Sequence, residues 1–249
     1  MVSVMPVLLL LLFSMALTIC AAAVVFVNHH ARRRGLCGPQ NLESEPKAFA
    51  DSTIRHIFLC RPDCWLAIKS RSLRAVQAAL GLHNAKPCSF IEGMSGGEKL
   101  FIAPPVNGWI LVLGAGLPEP SEDVDACFRF VVNLSRKLGE VQFFSASRVV
   151  QEHAWVRAYR GRVVRAYAWA GKTLWKQGRR TTAEKELDLK CFDYTETAER
   201  NSFAEPDVIA TNVDKVPLLA ARWSLDPACI DERLLEQERG IAGEPSRSY

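Results

Sequence analysis

The 249-residue sequence lacks any internal repeat, any low-complexity tract beyond one run of leucines, and any large excess of charge of one sign. Lys and Arg number 31 against 27 Asp and Glu, a net charge of +4. That imbalance is too small to be the electrostatic footprint of a nucleic-acid-binding protein, and nucleic acid is not an expected partner. Charged residues at 23% and hydrophobic residues at 49% exclude a disordered, collagen-like or multi-span membrane chain. With about 150 residues per domain as the usual size, the length fits one domain with appendages.

Charge is wholly missing from residues 1–28. Within them, residues 7–27 (VLLLLLFSMALTICAAAVVFV) would span about 31 Å as a helix, matching a hydrocarbon core of about 30 Å. The stretch predicts a single transmembrane helix of the signal-anchor kind. A cleaved secretory signal ending near Ala21, Ala22 and Ala23 is the alternative, but such a signal wants a basic leader and a shorter apolar core. The basic residues Arg32, Arg33 and Arg34 follow the run instead. Positive flanks stay cytoplasmic, so the globular domain is expected in the cytoplasm.

Residues 29–50 are polar, with Gly35, Gly38, Pro39 and Pro46, and read as a juxtamembrane linker. The folded domain is expected over residues 51–240, followed by a polar tail at 241–249. Ser72 can cap a helix carrying Leu73, Val76, Ala79 and Leu80, which Gly81 stops. The apolar runs 99–103 and 109–113 read as a hairpin. Ser121 is placed at the start of a helix whose inner face holds Val124, Cys127, Phe128, Val131, Ser135 and Leu138, ending at Gly139. A strand at 140–145 follows, then a hairpin over 154–170 turning at Arg160-Gly161. Thr181 and Glu184 form a capping box; Asn212 and Asp226-Pro227 read as starts of two further helices. Hairpins outnumber strand–helix–strand units. The expected class is therefore α+β, a mostly antiparallel sheet with helices packed on one face.

Several motifs suggest chemistry, and each has a plainer reading. Gly93-Met94-Ser95-Gly96-Gly97 matches the nucleophile elbow G-x-S-x-G, with Asp123 and then His153 following in triad order. The residues after Gly97, EKLFIAPP, read as a strand, so no helix follows to present the serine. Ala166 to Thr173, with Gly171 and Lys172, fits a relaxed phosphate-binding loop, but Tyr167 and Trp169 crowd it, and no cofactor is expected. His56, Cys60, Cys64, His83 and Cys88 form a metal-like cluster whose spacing also suits a Cys60–Cys64 disulfide or ordinary packed thiols. The eight cysteines are scattered along a chain long enough to bury a core, which needs no disulfide framework.

The strongest local oddity is a basic segment in which Arg157, Arg160, Arg162 and Arg165 alternate with Trp155, Tyr159, Tyr167 and Trp169. Arginines beside aromatics can meet a protein partner or an anionic lipid surface. They can equally be the solvated side of an amphipathic hairpin. These residues predict a single-pass membrane-anchored protein with a cytoplasmic, non-catalytic interaction or regulatory domain, using Trp155, Arg157, Tyr159, Arg160, Arg162 and Arg165 as contacts. Two alternatives stand beside it: a membrane-tethered hydrolase using Ser95 and His153, and an exported envelope domain holding disulfides.

Overall fold

A computed structural model describes residues 63–89, 92, 100–195, 206–225 and 239–245, all within one unit, Ser44–Tyr249. Among the described residues no helix is long and apolar enough to cross a membrane. The apolar run at 7–27, the linker, Ser95, His56, Cys60 and the helix expected from Asp226 lie outside the described residues.

The first described element is β1 (Cys64–Lys69), whose CWLAIK run is buried at four successive positions. Ser72 then accepts from the Ala75 amide at 3.2 Å and starts α1 (Leu73–Leu80), which Gly81 ends in the left-handed conformation. Next come β2 (Leu82–Cys88), β3 (Leu100–Ile102) and β4 (Trp109–Leu113). Asp123, rather than Ser121, caps α2 (Val124–Leu138), its carboxylate accepting from the Ala126 amide at 2.8 Å. An antiparallel meander follows: β5 (Glu140–Ser147), β6 (Glu152–Tyr159), β7 (Arg162–Trp169) and β8 (Thr173–Gln177). The capping box of Thr181 and Glu184 forms as expected and opens the short α3 (Thr182–Glu186). The long α4 (Pro206–Trp223) and β9 (Gly240–Pro245) complete the described elements.

The strands make one nine-stranded sheet in the order β2-β9-β3-β4-β1-β5-β6-β7-β8. Every neighbouring pair is antiparallel, as the hairpin pattern implied. Two expectations about the sheet are corrected. Residues 240–245, read as the end of the domain and the beginning of a polar tail, form a strand inserted between β2 and β3. Its sequence GIAGEP has little strand propensity; neighbours on both sides hold it in place.

The second correction concerns the helices, which cover both faces of the sheet. Leu66, Ile68, Ile110, Val112, Val141, Phe143 and Val156 pack against Val76 and Leu80 of α1 and Cys127, Phe130, Val131 and Leu134 of α2. Trp65, Ala67, Leu111, Leu113, Phe144, Trp155, Tyr167 and Trp169 point the other way, against Ile209, Val216, Leu219 and Ala220 of α4. Continuous apolar strands such as CWLAIK signal this double burial, because alternate residues must leave water on opposite sides. Phe128, expected inside α2, is 39% exposed and meets Trp175 edge-on at 5.4 Å. Asn212 does not cap a helix; it is a buried residue in the middle of α4.

Gly178 follows β8 with φ +75°, and a Cβ there would lie inside the van der Waals envelope of the Val164 carbonyl oxygen. Gly178→Ala is expected to cost more than about 2 kcal/mol, through left-handed strain plus displacement of β7. Urea unfolding at unchanged m-value checks it. A loss below about 0.5 kcal/mol would show that the β7 backbone yields freely.

Candidate functional site

The β6–β7 hairpin carries the residues singled out from the sequence, and its register sorts them. His153 pairs with Trp169, Trp155 with Tyr167, Arg157 with Arg165, and Tyr159 with Arg162. A bulge beside Arg157 and Ala158 leaves Val164 outside the pairing, so Val163 and Arg165 face opposite sides of the sheet. Trp155, Tyr167 and Trp169 lie fully inside the core under α4, with the Trp155 and Tyr167 rings 4.9 Å apart. These three aromatics of the motif are therefore packing groups, and Trp155 is not available to a partner.

Nor is Arg165, whose side chain is 1% exposed. Its Nε donates to Glu184 Oε1 at 2.8 Å and Oε2 at 3.1 Å, and its Nη2 donates to Oε1 at 2.7 Å. Nη1 donates to the carbonyls of Ala166 at 2.8 Å and Gln177 at 3.0 Å, while Nη2 also reaches Cys191 Sγ at 3.1 Å. Glu184 in turn accepts from the Trp155 indole at 2.8 Å and from the Thr181 amide at 2.7 Å. Burial alone would raise the Glu184 carboxyl, but the Arg165 guanidinium and these donors hold it below the ordinary carboxylate range. The pair is a structural clamp, with every oxygen of the carboxylate in use.

His153 sits at the far end of β6, its ring stacked on Trp155 at 5.7 Å and tilted against Tyr167 at 5.8 Å. The Lys190 amide donates to Asn212 Oδ1 at 3.0 Å, which fixes the Asn212 amide; its Nδ2 then donates to the Lys190 carbonyl at 2.8 Å and lies 3.2 Å from His153 Nε2. Nδ2 carries only hydrogens, so Nε2 accepts and the imidazole proton resides on Nδ1. Burial lowers the His153 pKa to about 3. Asp123 caps α2 on the opposite side of the sheet, so the structure does not bring Asp123 and His153 together as a triad would require. Cys64 packs on the α2 side and donates to Ser145 Oγ at 3.2 Å, whereas Cys88 packs on the other side, with β9, β3 and β4 between their strands. Among the described residues no group of three potential metal ligands converges. A hollow of about 510 Å³ at the β2–β9 edge is lined by residues of mixed charge, including Lys86, Glu92 and Glu244.

What stays accessible is the end of the sheet where β6 turns into β7. Tyr159 is 46% exposed, and the Arg160 guanidinium lies over its ring at 5.0 Å. Arg160 and Gly161 both have positive φ, +48° and +79°, as a tight two-residue hairpin turn requires. The turn is held by the Arg160 amide donating to the Gly139 carbonyl at 2.9 Å and the Gly161 amide donating to Ser135 Oγ at 2.9 Å. This brings Arg136 of the last turn of α2 against the turn, its Cγ 2.5 Å from where a Cβ on Gly161 would sit. Arg162, Arg179 after β8 and Lys137 are exposed around it. On the same end, β1 finishes in Lys69, followed by Arg71 and Arg74 at the start of α1, all exposed. The acid facing this group is Glu140, paired with Arg157 at 2.8 Å and Lys69 at 3.6 Å. On the α4 side Glu186 is paired with Arg222 at 2.5 Å.

The opposite end gathers most of the acids, together with exposed Arg148 and Lys172. Asp63, Glu119, Glu122, Asp123 and Asp125 gather around the entrance to β1 and the start of α2, and Glu152 begins β6. The sequence motif thus named Arg157, Tyr159, Arg160 and Arg162 at the accessible end, but missed Arg136, Lys69, Arg71, Arg74 and Arg179. The basic last turn of α2 beside the Gly139 stop was the available signal for Arg136.

Two measurements follow from the buried groups. Glu184→Ala, which strands Arg165 in the core, is expected to cost about 3–5 kcal/mol in chemical unfolding. Glu186→Ala, which breaks the exposed pair with Arg222, is expected to cost at most about 1 kcal/mol; equal losses would refute the clamp. For His153 the folded pKa lies below its ordinary 6.5, so the stability gained from the neutral ring is complete above pH 6.5 and is lost as pH falls toward 3. About 2–3 kcal/mol is expected to vanish between pH 7 and pH 4.5, and His153→Gln should flatten that slope. An unchanged slope in the variant would assign the acid sensitivity elsewhere.

No protein family, no characterised protein and no solved structure matches this chain.

Proposed function

We propose that this is a single-pass membrane-anchored protein whose cytoplasmic domain is a non-catalytic interaction module, and that its contact surface is the basic end of the sheet around the β6–β7 turn. The observation that carries the reading is the segregation of charge along the strands. Lys69, Arg71, Arg74, Arg136, Arg160 and Arg162 share one end, while acids crowd the other. Arg71, Arg74, Arg162 and Arg179 have no acidic partner among the described residues, so their charge is available to a ligand. Of the hydrolase candidates, Ser95 lies outside the described residues, Asp123 caps a helix, and His153 is buried, which lowers its pKa. Cys64 and Cys127 serve as packed apolar groups, burial pushing the Cys127 thiol up to about 12, a role suited to a reducing compartment.

Anchor and orientation are tested together in cells. The full chain should resist alkaline carbonate extraction, and a membrane-impermeant maleimide should label its cysteines only after lysis. Labelling of intact cells, or a mature N-terminus near Ala23, would overturn the orientation and favour an exported domain.

A further inference from the structure

We infer that the basic end of the domain docks on the anionic leaflet of the membrane that holds the chain's own anchor. This rests on the reading of residues 7–27 as a membrane span. The docking surface joins the two chemistries that a headgroup layer selects. Arg136, Arg160 and Arg162 provide cationic donors for phosphate and carboxylate groups. On the same hairpin Tyr159, 46% exposed, and Val164, 53% exposed, offer side chains that gain from leaving water at the acyl boundary.

Charge also fixes the orientation. A negative leaflet attracts the end bearing Arg160 and repels the end bearing Asp63 and Asp123. Each Lys or Arg close to such a surface raises partitioning about fivefold, so a handful suffices once the domain is tethered. Residues 28–43 lie between the apolar run and the compact unit, and 16 residues reach at most about 53–58 Å. A six-residue strand such as β1 spans about 20 Å, less than half that reach, so the tether's length allows the basic end to face the bilayer.

The test uses the full chain in nanodiscs of phosphatidylcholine alone or with about one third phosphatidylserine. An arginine-selective dicarbonyl reagent is applied and read by mass spectrometry. Arg160 and Arg162 should react at least about threefold more slowly on the phosphatidylserine discs, with the protection lost at high salt as screening demands. Arg148, near the acidic end and paired with Asp214, should react alike on both. In the Arg160→Glu, Arg162→Glu double variant, which replaces exposed side chains and should retain the wild-type melting temperature, Arg136 and Arg179 should lose their protection. Equal rates at Arg160 and Arg162 on the two discs, with the chain incorporated, overturn the docking while leaving the anchor standing, and point to a soluble acidic partner. A chain that does not incorporate overturns the anchor and the docking with it.

Discussion

Glu184 is a single carboxylate asked to do two tasks, and most of the domain's α4 side is arranged around it. As the third residue of α3 it closes a capping box with Thr181; as a fully buried anion it takes the guanidinium of Arg165 and the indole of Trp155. Neither charge could enter the core alone, since an unpaired ion in that environment costs far more than a hydrogen bond returns. Together they satisfy each other, and Arg165 spends its remaining donors on the carbonyls of Ala166 and Gln177 and on Cys191. The pair therefore ties β7, β8 and the segment after α3 to one point. It also decides which arginine of the hairpin belongs to the interior.

The two-sided burial of the sheet has a consequence for function. With α1 and α2 on one face and α4 on the other, the broad surfaces of the sheet are occupied by apolar packing. Among the described residues, the strand ends, the turns and the sheet edges are then what remains outside this packing. The edge strands are poor templates for another chain: β2 contains Pro87, a register shift between His83 and Lys86, and Asn84 at positive φ, while the Lys176 amide of β8 is taken by the Tyr194 hydroxyl. The strand end at Tyr159 and Arg160 is left as a surface both accessible and chemically distinctive.

Features set by neighbouring residues were legible in the sequence. The Thr181 capping box, the Gly81 stop, the Arg160-Gly161 turn and the antiparallel pairing follow from local stereochemistry and alternation. What alternation could not reveal was the bulge at Val164, because one unpaired residue reverses the side to which Arg165 points without changing the pattern of residue types. The strands β2, β8 and β9 were illegible for a related reason: LHNAKPC, TLWKQ and GIAGEP have weak intrinsic preference and exist through their partners. Asn212 looked like a helix cap because its side chain is suited to bonding backbone, and it does so, though to Lys190 rather than to its own helix. The basic surface was half legible, since Arg160 and Arg162 are adjacent in sequence while Arg136, Lys69 and Arg71 reach the same place only through folding.

Helix electrostatics explain part of the charge separation but not all of it. In α2 the arrangement is what the helix dipole favours, with Asp123 and Asp125 at the start and Arg136 and Lys137 in the last turn. If the whole polarity were a by-product of helix stabilisation, α1 would follow the same rule. It does the opposite: its first turn has no acid, Arg74 sits within that turn and Arg71 just ahead of it, cations placed against the positive end of the dipole. The β6–β7 turn, bonded to Gly139 and Ser135 at the end of α2, adds Arg160 and Arg162 where the negative end of that helix favours them. In α1, then, positive charge is placed where local stability disfavours it, and that placement is what the anionic ligand proposed for this end would account for.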